Sequence, residues 1–176
     1  MKKIKKYTQK SVKEFLYESN AVEGVYGKPA FLDSELAWNY LALQTKLSKE
    51  VILETHRLLM TNLYPEVAGK WRSCDVWIGG KRKFFVSVQL IAENVDNFLV
   101  NMGVSSDLPE EDLDRFTINC HVAFEELHPF VDGNGRTGRL IMNWHRQKLG
   151  LPIKIIHADW DIGGDEQRSY YKWFRD

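Results

Sequence analysis

Cysteine is scarce in this chain: Cys74 and Cys120 are the only two in 176 residues, and their spacing matches no zinc pattern. Two idle thiols in a reducing compartment are the expectation, and with them a cytoplasmic location. Excess charge is also missing. The 24 basic and 24 acidic residues cancel to a formal net charge of zero, which argues against a chain that coats nucleic acid or an anionic membrane, so neither is expected as a partner. No run approaches the roughly 18 apolar residues of a membrane span. The basic start, Met1 to Tyr7, is not followed by the apolar stretch of a secretory signal. There is no internal repeat and no low-complexity tract. What is present, 44% hydrophobic residues over 176 positions, suits a single domain, residues 1–176, around one core.

The pattern reads as helices with one strand-like interruption. Residues 8–22 look helical and break at Gly24 and Gly27-Lys28-Pro29. Asp33 and Ser34 are candidate caps for a next helix with an apolar stripe of Leu36, Ala37, Tyr40, Leu41 and Leu43. Ser48 caps another, with Val51, Ile52, Thr55, Leu58 and Leu59 on one face and His56 read as a packed or surface histidine. Pro65 and Gly69 end it. Gly79-Gly80 between aromatic and β-branched runs signals a hairpin over about 73–86. Helices are expected over about 87–103, from Pro109 through Phe116, Cys120, Phe124 and Leu127, from the loop after His128 to about Leu149, and over about 163–176. The fold expectation is all-α, a compact helical bundle with one β-hairpin.

The chemistry concentrates in residues 128–139, HPFVDGNGRTGR. Gly133 and Gly135 flank Asn134, letting backbone N–H groups form a concave nest at a helix N-terminus, where the dipole favours an anion. Arg136 and Arg139 lie three apart on one face beside that seat. Asp132 is a hard oxygen donor of the kind magnesium takes alongside substrate phosphates. His128 is the side chain able to accept a proton near neutral pH. Phe130 reads as an apolar anchor. Each piece alone has an ordinary reading as turn, cap or solvated arginine. Together they describe a phosphate-transfer site.

The string resembles the Fic family signature, His-x-Phe-x-Asp/Glu-Gly-Asn-Gly-Arg-x-x-Arg, without a departure at any fixed position. The segment Ala68 to Arg72 and the helix holding His56 and Leu58 are similar to the family more weakly. The resemblance implies a helical bundle with a β-hairpin flap, and transfer of AMP from ATP to a hydroxyl of a target protein's Ser, Thr or Tyr. It implies His128 as base, Asp132 as the Mg2+ ligand, and Gly133 and Gly135 as seats for the α- and β-phosphates. Asn134, Arg136 and Arg139 would hold the triphosphate, with Arg139 on the γ-phosphate. The flap residues Asp75, Val76, Trp77 and Ile78 would dock the target by strand addition. Ser19 to Gly24 resembles the family's inhibitory motif, Ser/Thr-x-x-x-Glu-Gly/Asn, so the helix over about 8–24 would carry an inhibitory Glu23 to Arg139.

Alternatives stay open within that resemblance: transfer of UMP or phosphate, or removal of AMP. A reading of another class is a non-catalytic nucleotide-sensing or antitoxin-like domain, against which the intact His128 and Asp132 weigh. Self-modification and a homo-oligomer are compatible with the family. Tyr170 or Tyr171 is a candidate for stacking on adenine or for core packing.

Overall fold

A computed structural model describes residues 7–76, 86–103, 108–158, 170, 172 and 173. Its helices are α1 (Gln9–Val22), α2 (Lys28–Leu43), α3 (Lys49–Met60), α4 (Ile91–Gly103), α5 (Leu113–Leu127) and α6 (Asn134–Lys148), with 3-10 turns at Val88–Leu90 and Glu110–Asp112. Among the described residues there is no strand. The expected hairpin falls mostly on 77–85 and, with Trp77 and Ile78, lies outside the described residues, as does most of the expected helix at 163–176, including Tyr171. No helix of the described residues is long and apolar enough to cross a membrane.

Start and stop signals explain most boundaries. Thr8 caps α1 by accepting from the Ser11 N–H, and Ser48 caps α3 by accepting from Val51 N–H. At the other end of α1, Gly24 takes φ 67°. The Gly24 N–H bonds to the Ala21 carbonyl and the Val25 N–H to the Asn20 carbonyl, the paired bonds of a Schellman ending. A side chain at Gly24 would meet nothing within 4 Å. Its left-handed backbone, rather than crowding, therefore favours glycine there.

The start of α2 departs from the sequence expectation. Gly27 is the N-cap and Pro29 sits in the first turn, where its missing N–H costs nothing. Asp33 and Ser34 are therefore buried inside the helix rather than capping it. Asp33 accepts from the Asn62 side chain at 2.7 Å and its backbone N–H at 3.1 Å, tying α2 to the end of α3. Ser34 pairs with Asn20 of α1. Starting the helix earlier also moves the apolar stripe: Ala30, Ala37, Trp38 and Leu41 face inward, while Leu36 and Leu43 are 56% and 81% exposed. On α5 the buried line is Leu113, Thr117, His121, Phe124 and Leu127, with Phe116 and Cys120 only half-buried.

The core joins α1, α2, α3, α4, α5 and α6 through residues such as Phe15, Trp38, Ile52, Leu59, Val95, Phe124 and Ile141. Helix α6 runs through its middle, with twelve of its fifteen residues buried, so the loop that feeds its N-terminus is anchored on packed structure. Both cysteines are free; burial pushes the Cys120 thiol up to about 11.

Three buried histidines are held neutral by desolvation: His56 at about 4, His121 at about 3 and His145 at about 4. Glu125 moves the other way. The residue is half-buried, but its Oε1 is sealed from solvent, and desolvation raises the carboxyl to about 8. A depressed histidine stabilises the fold above its unfolded value near 6.5 and loses that as pH falls toward its folded value, whereas the protonated Glu125 gains over the same window. The depressed histidines, His128 among them, outnumber the one raised carboxyl, so between pH 6.5 and 5 stability should fall as pH falls, by on the order of a few kcal/mol. Denaturant titrations at fixed pH values across that window check it, and a flat profile would contradict neutral burial of these rings.

Candidate active site

The 128–133 loop leaves α5 at His128, which adopts a left-handed backbone with φ 46°, an uncommon state for a residue other than glycine. Arg72 braces it. The buried guanidinium donates to the His128 carbonyl at 2.7 Å, the Cys74 carbonyl at 3.1 Å and the Val86 carbonyl at 2.5 Å, and the Arg72 N–H donates to the Pro129 carbonyl at 2.9 Å. One side chain thus joins the loop to both ends of the segment expected as a flap. The His128 Nδ1 lies 3.1 Å from the Glu125 carbonyl. A carbonyl only accepts, so Nδ1 carries the proton and Nε2 the lone pair. Desolvation holds His128 below its ordinary value, keeping the ring neutral into mildly acidic pH.

Further along, Phe130 is fully buried, stacked on His56 with centroids 3.7 Å apart and on Trp71 at 5.1 Å; the anchor reading holds. Asn134, the first residue of α6, spends its amide on the Phe130 backbone, accepting from its N–H and donating to its carbonyl, both at 2.9 Å. Asp132 is exposed, and its Oδ1 accepts from the Gly133 N–H at 2.5 Å. Gly133 has φ 77°, and a Cβ there would lie 2.7 Å from the Met60 sulfur and 3.2 Å from His56 Nε2. This glycine is needed for close packing onto α3.

Two arginines end the site. Arg136 is buried, donates to the Met60 sulfur at 3.2 Å, and has no hydrogen-bond partner for Nε or Nη1 among the described residues. Unmet donors on a buried cation are costly, so an anion fits beside it. Arg139 is the better satisfied of the two. Its Nε donates to Ser19 Oγ at 2.9 Å, Nη2 to the Ser19 carbonyl and to Glu23 Oε1, both at 2.8 Å, and Nη1 to the Tyr170 hydroxyl at 3.0 Å. The arginine is 1% exposed and the Glu23 side chain 36%. A Cβ on Gly135 would collide with Glu23 Oε1. The Glu23 carboxylate therefore rests directly over the first turn of α6, where a helix N-terminus holds an anion.

These contacts bring Ser19, Glu23, Gly135 and Arg139 together, and join His128 and Asp132 to the same loop. Asp75 is exposed and Val76 half-buried, without strand structure. Tyr170 is buried against Arg139 and His121, which favours the packing alternative over stacking on a base. Sequence reasoning did not single out Arg72, Met60 or the loop contacts of His56. The hydrogen-bond partners of Arg72 and His56 are backbone atoms, which carry no residue signal; the family likeness of the segment Ala68 to Arg72 and of the helix holding His56 was the available hint.

Known proteins are similar to this chain in sequence and fold. Residues 46–145 match the Fic/DOC family. The protein adenylyltransferase fic-1 of Caenorhabditis elegans is 32% identical over 142 residues, covering 81% of this chain and 27% of its own length; the protein adenylyltransferase Fic of Drosophila erecta is 30% identical over 148 residues, covering 81% and 28%. The chain therefore spans about a quarter of the length of these curated relatives. Among solved structures, a Fic domain containing signaling protein from Bacteroides thetaiotaomicron superposes with TM-score 0.76 at 19% identity, covering 93% of this chain and 70% of the other. A fragment of Fic-1 from C. elegans gives 0.72 at 22% identity, covering 94% and 55%. Signature, helical fold and relatives agree: this chain belongs to the Fic/DOC family.

Proposed function

We propose that the chain transfers AMP from ATP to a hydroxyl of a protein target and that Glu23 restrains this activity. The observation that carries the reading is the Glu23 carboxylate on Arg139 above the α6 N-terminus, beside a buried Arg136 with unmet donors. A carboxylate bound where a phosphate would sit marks an anion seat and blocks it at once. The curated relatives named protein adenylyltransferase favour AMP as the group moved.

In this reading the target hydroxyl oxygen attacks the α-phosphorus of ATP. Its proton passes to Nε2 of His128, the bond from the α-phosphorus to the bridging oxygen breaks, and pyrophosphate leaves with the electron pair. Gly135 and the α6 N-terminus seat phosphate oxygens, and Arg136 and Arg139 hold the chain of phosphates. Asn134 acts through the shape of the loop, since both its amide atoms are engaged with Phe130. Magnesium needs few protein ligands when phosphates and water complete its shell, so the exposed Asp132 carboxylate fits it; bound there, the ion would neutralise charge on the phosphates. Asp75 to Ile78 would align the target segment. Ser19 and Glu23 of α1 would hold Arg139 away from the γ-phosphate.

The first test concerns the base. His128→Ala should abolish transfer with little change in ATP affinity. The acid limb of the rate profile should lie below the ordinary histidine value near 6.5, because burial depresses His128. Initial rates with labelled ATP across pH check both; full activity of the alanine variant would end the assignment. For the metal ligand, Asp132→Asn should raise the magnesium concentration giving half-maximal rate and lower turnover, read from rates against magnesium for both forms. Superimposable curves would remove Asp132.

Glu23 is tested by labelling. A closed state favoured a hundredfold needs only about 2.7 kcal/mol, within reach of a charge-assisted pair on a buried guanidinium. Glu23→Gly should raise labelling strongly, and Arg139→Ala should abolish it even when combined with Glu23→Gly. Equal labelling of the unchanged chain and Glu23→Gly would leave the site without this restraint. Running each nucleoside triphosphate in parallel, with mass spectrometry of the product, separates AMP from UMP or phosphate transfer.

A further inference from the structure

His56 lies outside the signature, yet it makes two directed contacts at the edge of the site. Its Nδ1 sits 2.9 Å from the Gly69 backbone nitrogen, and its Nε2 sits 2.9 Å from the Asp132 carbonyl oxygen. The backbone N–H of Gly69 can only donate, so Nδ1 is the acceptor; a carbonyl can only accept, so Nε2 carries the proton. The two partners fix a single neutral tautomer. The ring plane is fixed too, lying within 2° of parallel to Phe130. Met60, one turn along α3, receives the donor of Arg136, and Gly133 closes over Met60 and His56 with no room for a side chain. This face of α3 is therefore the floor of the loop.

We propose that His56 is a positioning residue for the transfer reaction, orienting the Asp132–Gly133 peptide so that the Asp132 carboxylate and the Gly133 N–H face the phosphate seat. The physics is that of a planar trans peptide, whose C=O and N–H point in opposite directions. With the Asp132 carbonyl drawn inward to His56, the Gly133 N–H is turned outward, where it donates to Asp132 Oδ1. When that carboxylate turns to a metal, the same N–H becomes available to an anion. Removing the His56 donor leaves this part-buried carbonyl without that partner, and the peptide can rotate to find another. The Gly69 contact sets which nitrogen does this work. By holding Nδ1 as acceptor it commits Nε2 to Asp132, linking the loop to the segment that leads to Arg72.

The inference rests on the proposed transfer activity, and its test separates the two. Two substitutions split the ring. In His56→Gln the side-chain amide nitrogen can reach the Nε2 position and donate to Asp132. In His56→Asn the shorter amide matches only the Nδ1 side, meeting Gly69 and leaving the Asp132 carbonyl unpaired. Both are made on the Glu23→Gly chain and compared with it in labelling by ATP and magnesium. Expected is near-parental turnover for Gln, and for Asn a fall of about 100-fold, the scale of a reacting group displaced by about 1 Å. The Asn variant should also show a raised magnesium requirement, while ATP affinity without magnesium stays near parental. A purely structural histidine would lower thermal stability in both without separating their magnesium dependence, so equal curves for Gln and Asn overturn the proposal. No labelling by the Glu23→Gly chain itself counts against transfer, and a readout without activity then decides. Long-range proton–nitrogen spectra of the unmodified chain should show His56 as the Nε2–H tautomer, and hydrogen exchange over residues 130–134 should quicken in Asn but not in Gln. An Nδ1–H tautomer, or equal exchange in the two, would refute the positioning role.

Discussion

The buried guanidinium of Arg139 is the constraint around which the described structure is arranged. A permanent cation removed from water must have its N–H groups met, or the desolvation cost goes unrecovered. Here Ser19 supplies a hydroxyl and a carbonyl, Glu23 a carboxylate and Tyr170 a phenol. These come from α1 and from the C-terminal segment, far apart in sequence, so satisfying one side chain draws both ends of the described chain onto α6. The Schellman ending of α1 then acquires a purpose: Gly24 stops the helix one residue past Glu23, leaving Glu23 at the cap facing the α6 N-terminus.

Arg136, one turn earlier on the same helix, shows what that satisfaction is worth by lacking it. Its contact with the Met60 sulfur is a weak acceptor for a cation, and Nε and Nη1 have no partner among the described residues. Two buried arginines thus lie on one helix face, Arg139 met by protein and Arg136 with two donors unmet among the described residues. A polyanion brings several charged oxygens where the protein brings only the Glu23 carboxylate into direct contact with Arg139. Under the proposed function, a triphosphate would meet the unmet donors of Arg136 and displace Glu23, on the α1 side of Arg139.

How much of this was legible depended on whether the partner was a side chain or backbone. The loop 128–139 carries its chemistry in residue types at fixed spacing, and the Ser19-to-Glu23 spacing does the same, so both pointed to the same place before any geometry. The helices were legible because apolar period and caps agree for α1 and α3. At α2 they did not. Asp33 and Ser34 have the composition of caps but serve as buried cross-links to Asn62 and Asn20, and a capping preference is a local tendency that tertiary partners override. Tyr170 was ambiguous for a related reason: an aromatic with a hydroxyl suits a nucleobase or a buried arginine equally well until its neighbours are known.

The least legible layer is the one that shapes the loop. Arg72 reaches the His128 carbonyl, His56 the Asp132 carbonyl, and Asn134 both backbone groups of Phe130. All three hydrogen-bond to the main chain of the loop rather than to the side chains of the signature. That division has a physical consequence. A catalytic side chain must keep its own donors and acceptors free for substrate, so it cannot also hold the loop in place, and the ordering has to come from neighbours that grip the main chain beneath it. The left-handed backbone at His128 illustrates the need: an uncommon conformation persists where surrounding bonds over-determine it, and there Arg72 supplies two of them. Two of the three residues that hold the loop, His56 and Arg72, lie outside the signature, on α3 and in the segment before the expected hairpin, where packing places them and no spacing rule in the loop could reveal them.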